Sequence, residues 1–183
     1  AGARQLAREG ARVITTTCGF LARFQQDLAA AVQVPVCTSS LLLVPLVHRM
    51  LAPGRAVGIL TIHAAALGAA ELRGAGISPE VPIVVAGMEG EPQFARAILG
   101  DTPRLDVARA RDEHGRVAAR LASANPELGA IVLECTNMPP YREAVARATG
   151  LPVFDIVHLV TLLAQATLPG SSPERHPFLP VAE

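Results

Sequence analysis

The sequence has no Trp, a single Tyr and only 3% aromatic residues. Single-stranded nucleic acid is commonly gripped by stacking bases on aromatic rings, so that mode has no platform here. An excess of charge of either sign is also missing. Sixteen Lys and Arg stand against sixteen Asp and Glu, for a formal net charge of zero. No basic field exists to draw in nucleic acid or an anionic membrane surface. Cysteine is scarce, with three in 183 residues and none in a CxxC pair. That fits a reducing, cytoplasmic setting better than a disulfide scaffold, and it provides no zinc spacing. The apolar runs fall far short of a membrane span, and no leader-peptide pattern is visible. What is abundant is apolar surface. Half the residues are hydrophobic and 17% are charged, which predicts a substantial core in one large domain or two small lobes.

The chain alternates short apolar runs with helical patterns. Gln5 to Arg8 reads as the end of a helix stopped by Gly10. A helix rarely opens an α/β domain, so a first strand is expected upstream and is missing from this sequence. Val13-Ile14 opens a strand that ends in three threonines. Cys18-Gly19 then leads into a helix with Phe20, Leu21, Phe24 and Leu28 on one face. Val34 to Cys37 is a strand, and Leu41 to Leu51 a helix. Ser39 or Ser40 suits its N-cap and serves equally well as a ligand contact. Cys37 reads as core. Pro53-Gly54 marks a turn and a lobe boundary.

Arg55 to Leu60 is the next strand, followed by an alanine-rich helix from Ala64 to Arg73. Gly74-Ala75-Gly76 follows a helix, so it is not a dinucleotide fingerprint. Pro82 to Ala86 is a strand and Phe94 to Leu99 a short helix. Asp106 to Ala124 is a longer helix, with Val107, Val117, Ala118 and Leu121 as core positions. Ala130 to Leu133 and Leu151 to Ile156 are strands. Tyr141 to Thr149 and Val157 to Leu168 are helices, and residues 169 to 183 form a Pro- and Ser-rich tail. This alternation predicts parallel sheets with helices on both faces. It divides into two βα lobes, with one cysteine of the Cys18 and Cys135 pair in each. Residues 1–53 with 155–183 form one lobe and residues 54–154 the other.

Two stretches share a design. In RVITTTCGF, Cys18 follows a strand and precedes a helix. In GAIVLECTNMPPY, Cys135 does the same, and Pro139 and Pro140 suit a first helical turn because they lack the N–H groups that have no partner there. A lone buried Cys135 would count as packing. Two thiols at the same topological position are hard to explain that way. The ends of strands are where open α/β sheets bind ligands, and a helix N-terminus favours a thiolate.

TTTCGF and VLECTNMPPY resemble the two cysteine motifs of the aspartate/glutamate racemase superfamily. Its members include amino-acid and hydantoin racemases, arylmalonate decarboxylase and maleate isomerase. Weaker support comes from the strand end at Thr61 and from VAGMEG at 85–90. The resemblance implies two pseudo-symmetric α/β lobes and a small carboxylate substrate in the cleft between them. It implies neither pyridoxal phosphate nor metal, and a homodimer. It makes Cys18 and Cys135 an acid/base pair, one thiolate removing an α-proton and the opposite thiol returning one. Thr17, Gly19, Thr136 and Asn137 become substrate contacts, with Ser39, Ser40 and Thr61 as weaker ones. The chemistry is sound in itself. Inversion through a carbanion needs a base on one face and an acid on the other, and a thiol moved toward neutrality serves as either. Hydroxyls and backbone N–H groups near the cysteines can steady the carbanion.

The expected function is therefore a cofactor-independent racemase or epimerase of a small α-substituted carboxylate such as Asp or Glu. The alternatives are a decarboxylase or a maleate-type cis–trans isomerase of the same superfamily, or a non-catalytic protein binding a small anion. The sequence departs from glutamate racemases in having Glu134-Cys135-Thr136-Asn137 where they have Gly-Cys-Thr-His. Asn137 can hydrogen-bond but cannot shuttle a proton. Glu134 reads first as pointing away into a polar contact and second as a partner base. His63 reads first as exposed or capping, and second as an imidazole at a neighbouring strand end. Gly19-Phe20 replaces the Asn-Thr that follows the first cysteine in glutamate racemases.

Overall fold

The computed structural model describes residues 1–100 and 104–167. The tail expected at 169–183 and the last residue of the final expected helix, Leu168, lie outside the described residues. Helix α1 (Gly2–Arg8) leads into strand β1 (Ile14–Thr15). A 3₁₀ segment at Gly19–Phe24 and helix α2 (Gln25–Ala30) connect β1 to β2 (Val36–Cys37). Helix α3 (Leu43–Met50), strand β3 (Ala56–Thr61), helix α4 (Ala69–Gly74) and strand β4 (Ile83–Gly87) follow. Helices α5 (Phe94–Leu99) and α6 (Val107–Ala124) precede β5 (Leu128–Leu133). Helix α7 (Arg142–Thr149), strand β6 (Val153–Phe154) and helix α8 (Ile156–Thr167) complete the described chain.

The strands form two parallel sheets. β1 pairs with β2, with Ile14 beside Val36 and Thr15 beside Cys37. The other sheet has the order β4-β3-β5-β6, all parallel. Its central strands β3 and β5 are buried along nearly their whole length. A parallel strand covered on both faces is apolar throughout rather than alternating. Alternate residues feed two main cores, and Ala56 and Leu128 at the strand starts join Leu121 in a small third one. Val57, Ile59, Ala130 and Val132 point to one, together with Leu41, Val44 and Val47 from around α3 and Ile156 and Leu159 from α8. Leu60, Ile131 and Leu133 point to the other, with Phe94, Ala110, Val117, Ala118 and Val145 from α5, α6 and α7. Helices on both faces are therefore the observed architecture, as expected from the βα alternation.

Three local expectations are corrected. The segment after Cys18 winds as a 3₁₀ helix, so its buried positions are Gly19, Ala22 and Gln25, three residues apart. Phe24 is 44% exposed, not part of a Phe20-Leu21-Phe24-Leu28 face. Small residues face inward because α4 crosses there: a Cβ on Gly74 would collide with the Ala22 carbonyl. The helix expected from Ala64 to Arg73 is broken before Gly68, whose backbone N–H donates to Glu71 Oε2 at 3.0 Å and starts α4 afresh. In α6, Val107 is exposed and the buried stripe begins at Ala110. It includes Glu113 and His114. Glu113 accepts from the backbone N–H groups of Gln93 and Phe94, both at 2.8 Å. His114 Nδ1 meets the Ala110 carbonyl at 2.6 Å, and its ring stacks on Tyr141 at 4.2 Å.

Candidate active site

Because all strands within each sheet run parallel, the turns after them gather at one end of the sheet. Four such turns meet. After β1, the Thr16 hydroxyl donates to the Thr38 carbonyl at 2.5 Å and to the Cys18 carbonyl at 3.2 Å. Gln25 completes this brace, donating to the Val36 carbonyl at 2.9 Å and accepting from Thr38 N–H at 3.0 Å and the Thr38 hydroxyl at 2.8 Å. The turn carrying Cys18 is thus tied to the turn after β2. Neither Thr16 nor Gln25 stood out in the sequence. The one signal for Gln25 is its three-residue spacing from Ala22 and Gly19, visible once the 3₁₀ period is known.

The turn after β2 holds Thr38, Ser39 and Ser40, all fully buried. Ser39 Oγ accepts from Leu41 N–H at 3.1 Å, the expected N-cap. Ser40 Oγ donates to the Leu133 carbonyl at 2.6 Å and to the Glu134 carbonyl at 3.3 Å, clamping the end of β5. At the end of β3, the Thr61 hydroxyl donates to Glu134 Oε2 at 2.7 Å. The hydroxyl of Thr136 donates to the Thr17 carbonyl at 2.6 Å and joins the two cysteine turns. Ser39, Ser40, Thr61 and Thr136 therefore spend their hydroxyls on the protein itself. Thr17, Cys18 and Asn137 are exposed.

The two thiols sit in unlike surroundings. Cys18 is exposed, Cys135 is 8% exposed and Cys37 lies in the core. Burial pushes the Cys135 thiol above its ordinary value; the Asn137 backbone N–H opposes this, and the charges of Glu134 and Cys18 add to it. The Asn137 side chain approaches Cys135 Sγ at 3.8 Å. A helix N-terminus was expected to move this thiol the other way. Burial outweighs it, and the segment that follows is a short 3₁₀ turn, Pro139–Tyr141, whose two prolines offer no N–H.

Glu134 is turned into the assembly rather than away from it. Its side chain is buried, and burial raises its carboxyl to about 7, against the hydrogen bond from Thr61 and with help from the charge of Glu71. Oε1 has no hydrogen-bond partner. It lies where a Cβ of Gly19 would be, so only glycine fits after Cys18. His63 is half-buried with Nδ1 unpartnered, beside a backbone held by Glu89, which accepts from Ala64 N–H at 3.3 Å. A large apolar groove lies apart from this site, against the outer edge of β4 and lined by Leu72, Ile77, Val81 and Ile83. Among the described residues no three His, Cys, Asp or Glu side chains cluster to hold a metal. No helix among them is long and apolar enough to cross a membrane.

A dimethylsulfoniopropionate lyase of Durusdinium sp. clade D is 30% identical over 152 residues, covering 81% of this chain and 50% of that protein. The chain spans about half the length of the curated relatives it matches. The allantoin racemase of Klebsiella pneumoniae shares the fold at a TM-score of 0.62 and 18% identity, over 95% of this chain and 70% of that one. An aspartate racemase homologue from Pyrococcus horikoshii OT3 does so at 0.60 and 17%, over 88% and 71%. The family model for Asp/Glu/Hydantoin racemase matches residues 1–164. The chain belongs to that family, the one its two cysteine motifs resemble.

Proposed function

We propose that the chain removes the proton α to the carboxylate of a small substrate, and that the reaction which follows is β-elimination rather than inversion. The proposed site is where the turns after β1 and β5 meet, joined by the Thr136 hydroxyl and the Thr17 carbonyl. One observation carries the choice: the thiols are not equivalent. A racemase working in both directions needs two groups that exchange roles, each a base in one direction and an acid in the other. Here Cys18 is exposed and Cys135 is buried with its thiol pushed up. That division suits a one-way reaction. Cys18 as thiolate takes the α-proton, and the C–H electrons form the new double bond as the β-substituent leaves with the electrons of its own bond. The proton on Cys18 passes to the solvent that reaches it. Cys135 stays a thiol, with Asn137 beside it, and donates a hydrogen bond to the carboxylate as negative charge builds there. A sulfonium is an apt leaving group because it departs as a neutral sulfide. Dimethylsulfoniopropionate, the substrate named for the relatives, would give acrylate and dimethyl sulfide.

The presence of a second cysteine supports another reading, racemisation of an amino acid or hydantoin, with Cys135 returning a proton to the opposite face. The experiment is incubation in D₂O with dimethylsulfoniopropionate, amino acids, hydantoins and small dicarboxylates, followed by proton NMR and headspace gas chromatography. Acrylate and dimethyl sulfide are expected, with turnover falling by at least about a hundredfold in Cys18→Ser. Stereoinversion with solvent deuterium and no sulfide would replace this reading by racemisation. Loss of CO₂ or alkene isomerisation would point to the other branches of the superfamily. Ligand-induced stabilisation without turnover would indicate a binding protein.

A further inference from the structure

No step above uses Glu134, yet it joins one cysteine turn and packs its carboxyl against the other. It precedes Cys135 in the chain, and its Oε1 packs against the residue after Cys18. The side chain is 1% exposed, with Thr61 as its one hydrogen-bond donor and Oε1 left without any. A buried carboxylate with a bare oxygen is costly, whereas a neutral carboxyl in the same place is tolerable. A purely structural role would be served better by an uncharged side chain. We propose that Glu134 is a positioning residue for the reaction. Wedged between the Cys18–Gly19 turn and Thr61, it governs through its own proton whether Cys135 can become a thiolate.

The inference rests on the reading of Cys135 as the thiol that donates a hydrogen bond to the substrate carboxylate. Around Glu134 stand Thr61 from β3, Glu71 from α4, Cys135, and Cys18 from the turn after β1. Glu71 is itself paired with Arg23 at 3.5 Å. With its proton on, Glu134 adds no charge beside Cys135. As pH rises and the proton leaves, the new negative charge adds to the burial that already opposes the Cys135 thiolate. Cys135 is thereby held as a proton or hydrogen-bond donor. Gly19 is part of the device, since any larger residue would expel the carboxyl.

The test measures thiol ionisation without substrate, so its result is independent of what the enzyme turns over. In a Cys18→Ser, Cys37→Ser background, Cys135 is titrated by thiolate absorbance and by iodoacetamide alkylation between about pH 6 and about pH 10. Glu134→Gln is expected to alkylate about three- to tenfold faster near pH 8, with its titration moved to lower pH. Thr61→Val removes only the donor to Oε2, keeps the carboxyl neutral to higher pH, and gives a smaller change in the same direction. Infrared spectra are expected to show a neutral carboxyl stretch that is lost in Glu134→Gln. Matching titrations in the parent and Glu134→Gln would overturn the proposal. So would absence of the neutral carboxyl band near pH 6, a readout that stands even if Glu134→Gln fails to fold. A shifted titration with no turnover of any substrate would instead overturn the functional reading alone.

Discussion

Glu134→Gln should flatten one part of the dependence of stability on pH. The folded protein holds this carboxyl at about 7, against an ordinary 4.5. Below the lower value both the folded and unfolded chains carry the proton, and folding bears no penalty from it. Between the two, the unfolded chain releases the proton while the folded chain keeps it. Unfolding is favoured by about 1.4 kcal/mol for each pH unit across that window. Above the folded value the loss is complete, at about 3 kcal/mol. Glutamine keeps the shape and the bond from Thr61 but has no proton to lose. Urea unfolding of both proteins at a series of pH values, with slopes checked for equality, gives the difference directly. Titrating groups that do not interact with Glu134 are common to the two and cancel, and Cys135, which does, ionises above this window. The stability of wild type relative to the variant should fall by about 3 kcal/mol between about pH 4.5 and about pH 7.5 and stay level beyond. Parallel curves would refute the reasoning, because they would mean that Glu134 titrates as it does in the unfolded chain.

Gly19→Ala must displace Glu134, whose main-chain oxygen as well as its carboxyl crowds the new Cβ. Turnover is expected to fall by about a hundredfold while circular dichroism still reports the fold. Gly74→Ala sets a Cβ against the Ala22 carbonyl, and thermal unfolding should show a loss of about 1–3 kcal/mol with the Cys18 turn loosened. Cys37→Ala lies in the core, apart from the proposed site residues Cys18 and Cys135. It should cost about 1 kcal/mol by urea melt and leave kcat unchanged. Asp155 accepts from Val157 N–H at 3.0 Å at the start of α8 and pairs with Arg142 at 3.0 Å. Asp155→Ala should destabilise by about 2–4 kcal/mol, read by the same melt.

The parts of the fold most legible in the sequence were those decided by one dominant force. RAVGIL, PIVVA and AIVL are short β-branched apolar runs, and only a strand covered on both faces uses such runs economically. The placement of Cys18 and Cys135 after strand ends was legible because the βα order alone puts both there, whereas their unlike exposure was not. The missed features depend on contacts between distant segments. The 3₁₀ winding after Cys18 follows from the close crossing of α4 at Gly74, which the local pattern of Phe and Leu does not encode. Glu113 and His114 were not among the core positions read for α6 from the sequence. They are buried because Glu113 caps the start of α5 and His114 lies between Tyr141 and Phe94. The rise of the Cys135 thiol was hidden for the same reason, since burial by distant segments outweighs the Asn137 N–H that opposes it.

The bonds that close the site join residues far apart in the chain. Thr136 reaches Thr17 across 119 positions, and Ser40 reaches Leu133 across 93. Each such link forms only after the intervening polypeptide has been folded into place, because the loss of chain freedom comes before the contact that offsets it. The cysteine turns are therefore expected to meet late in folding, after β3 and β5 have paired. The Thr136–Thr17 link is also exposed, so it opens at little cost to the remaining structure. A partly unfolded population that retains its central sheet would already have lost the geometry of its chemistry. Catalytic competence should thus disappear at lower denaturant than secondary structure, with hydrogen exchange fastest at the two turns that carry the thiols.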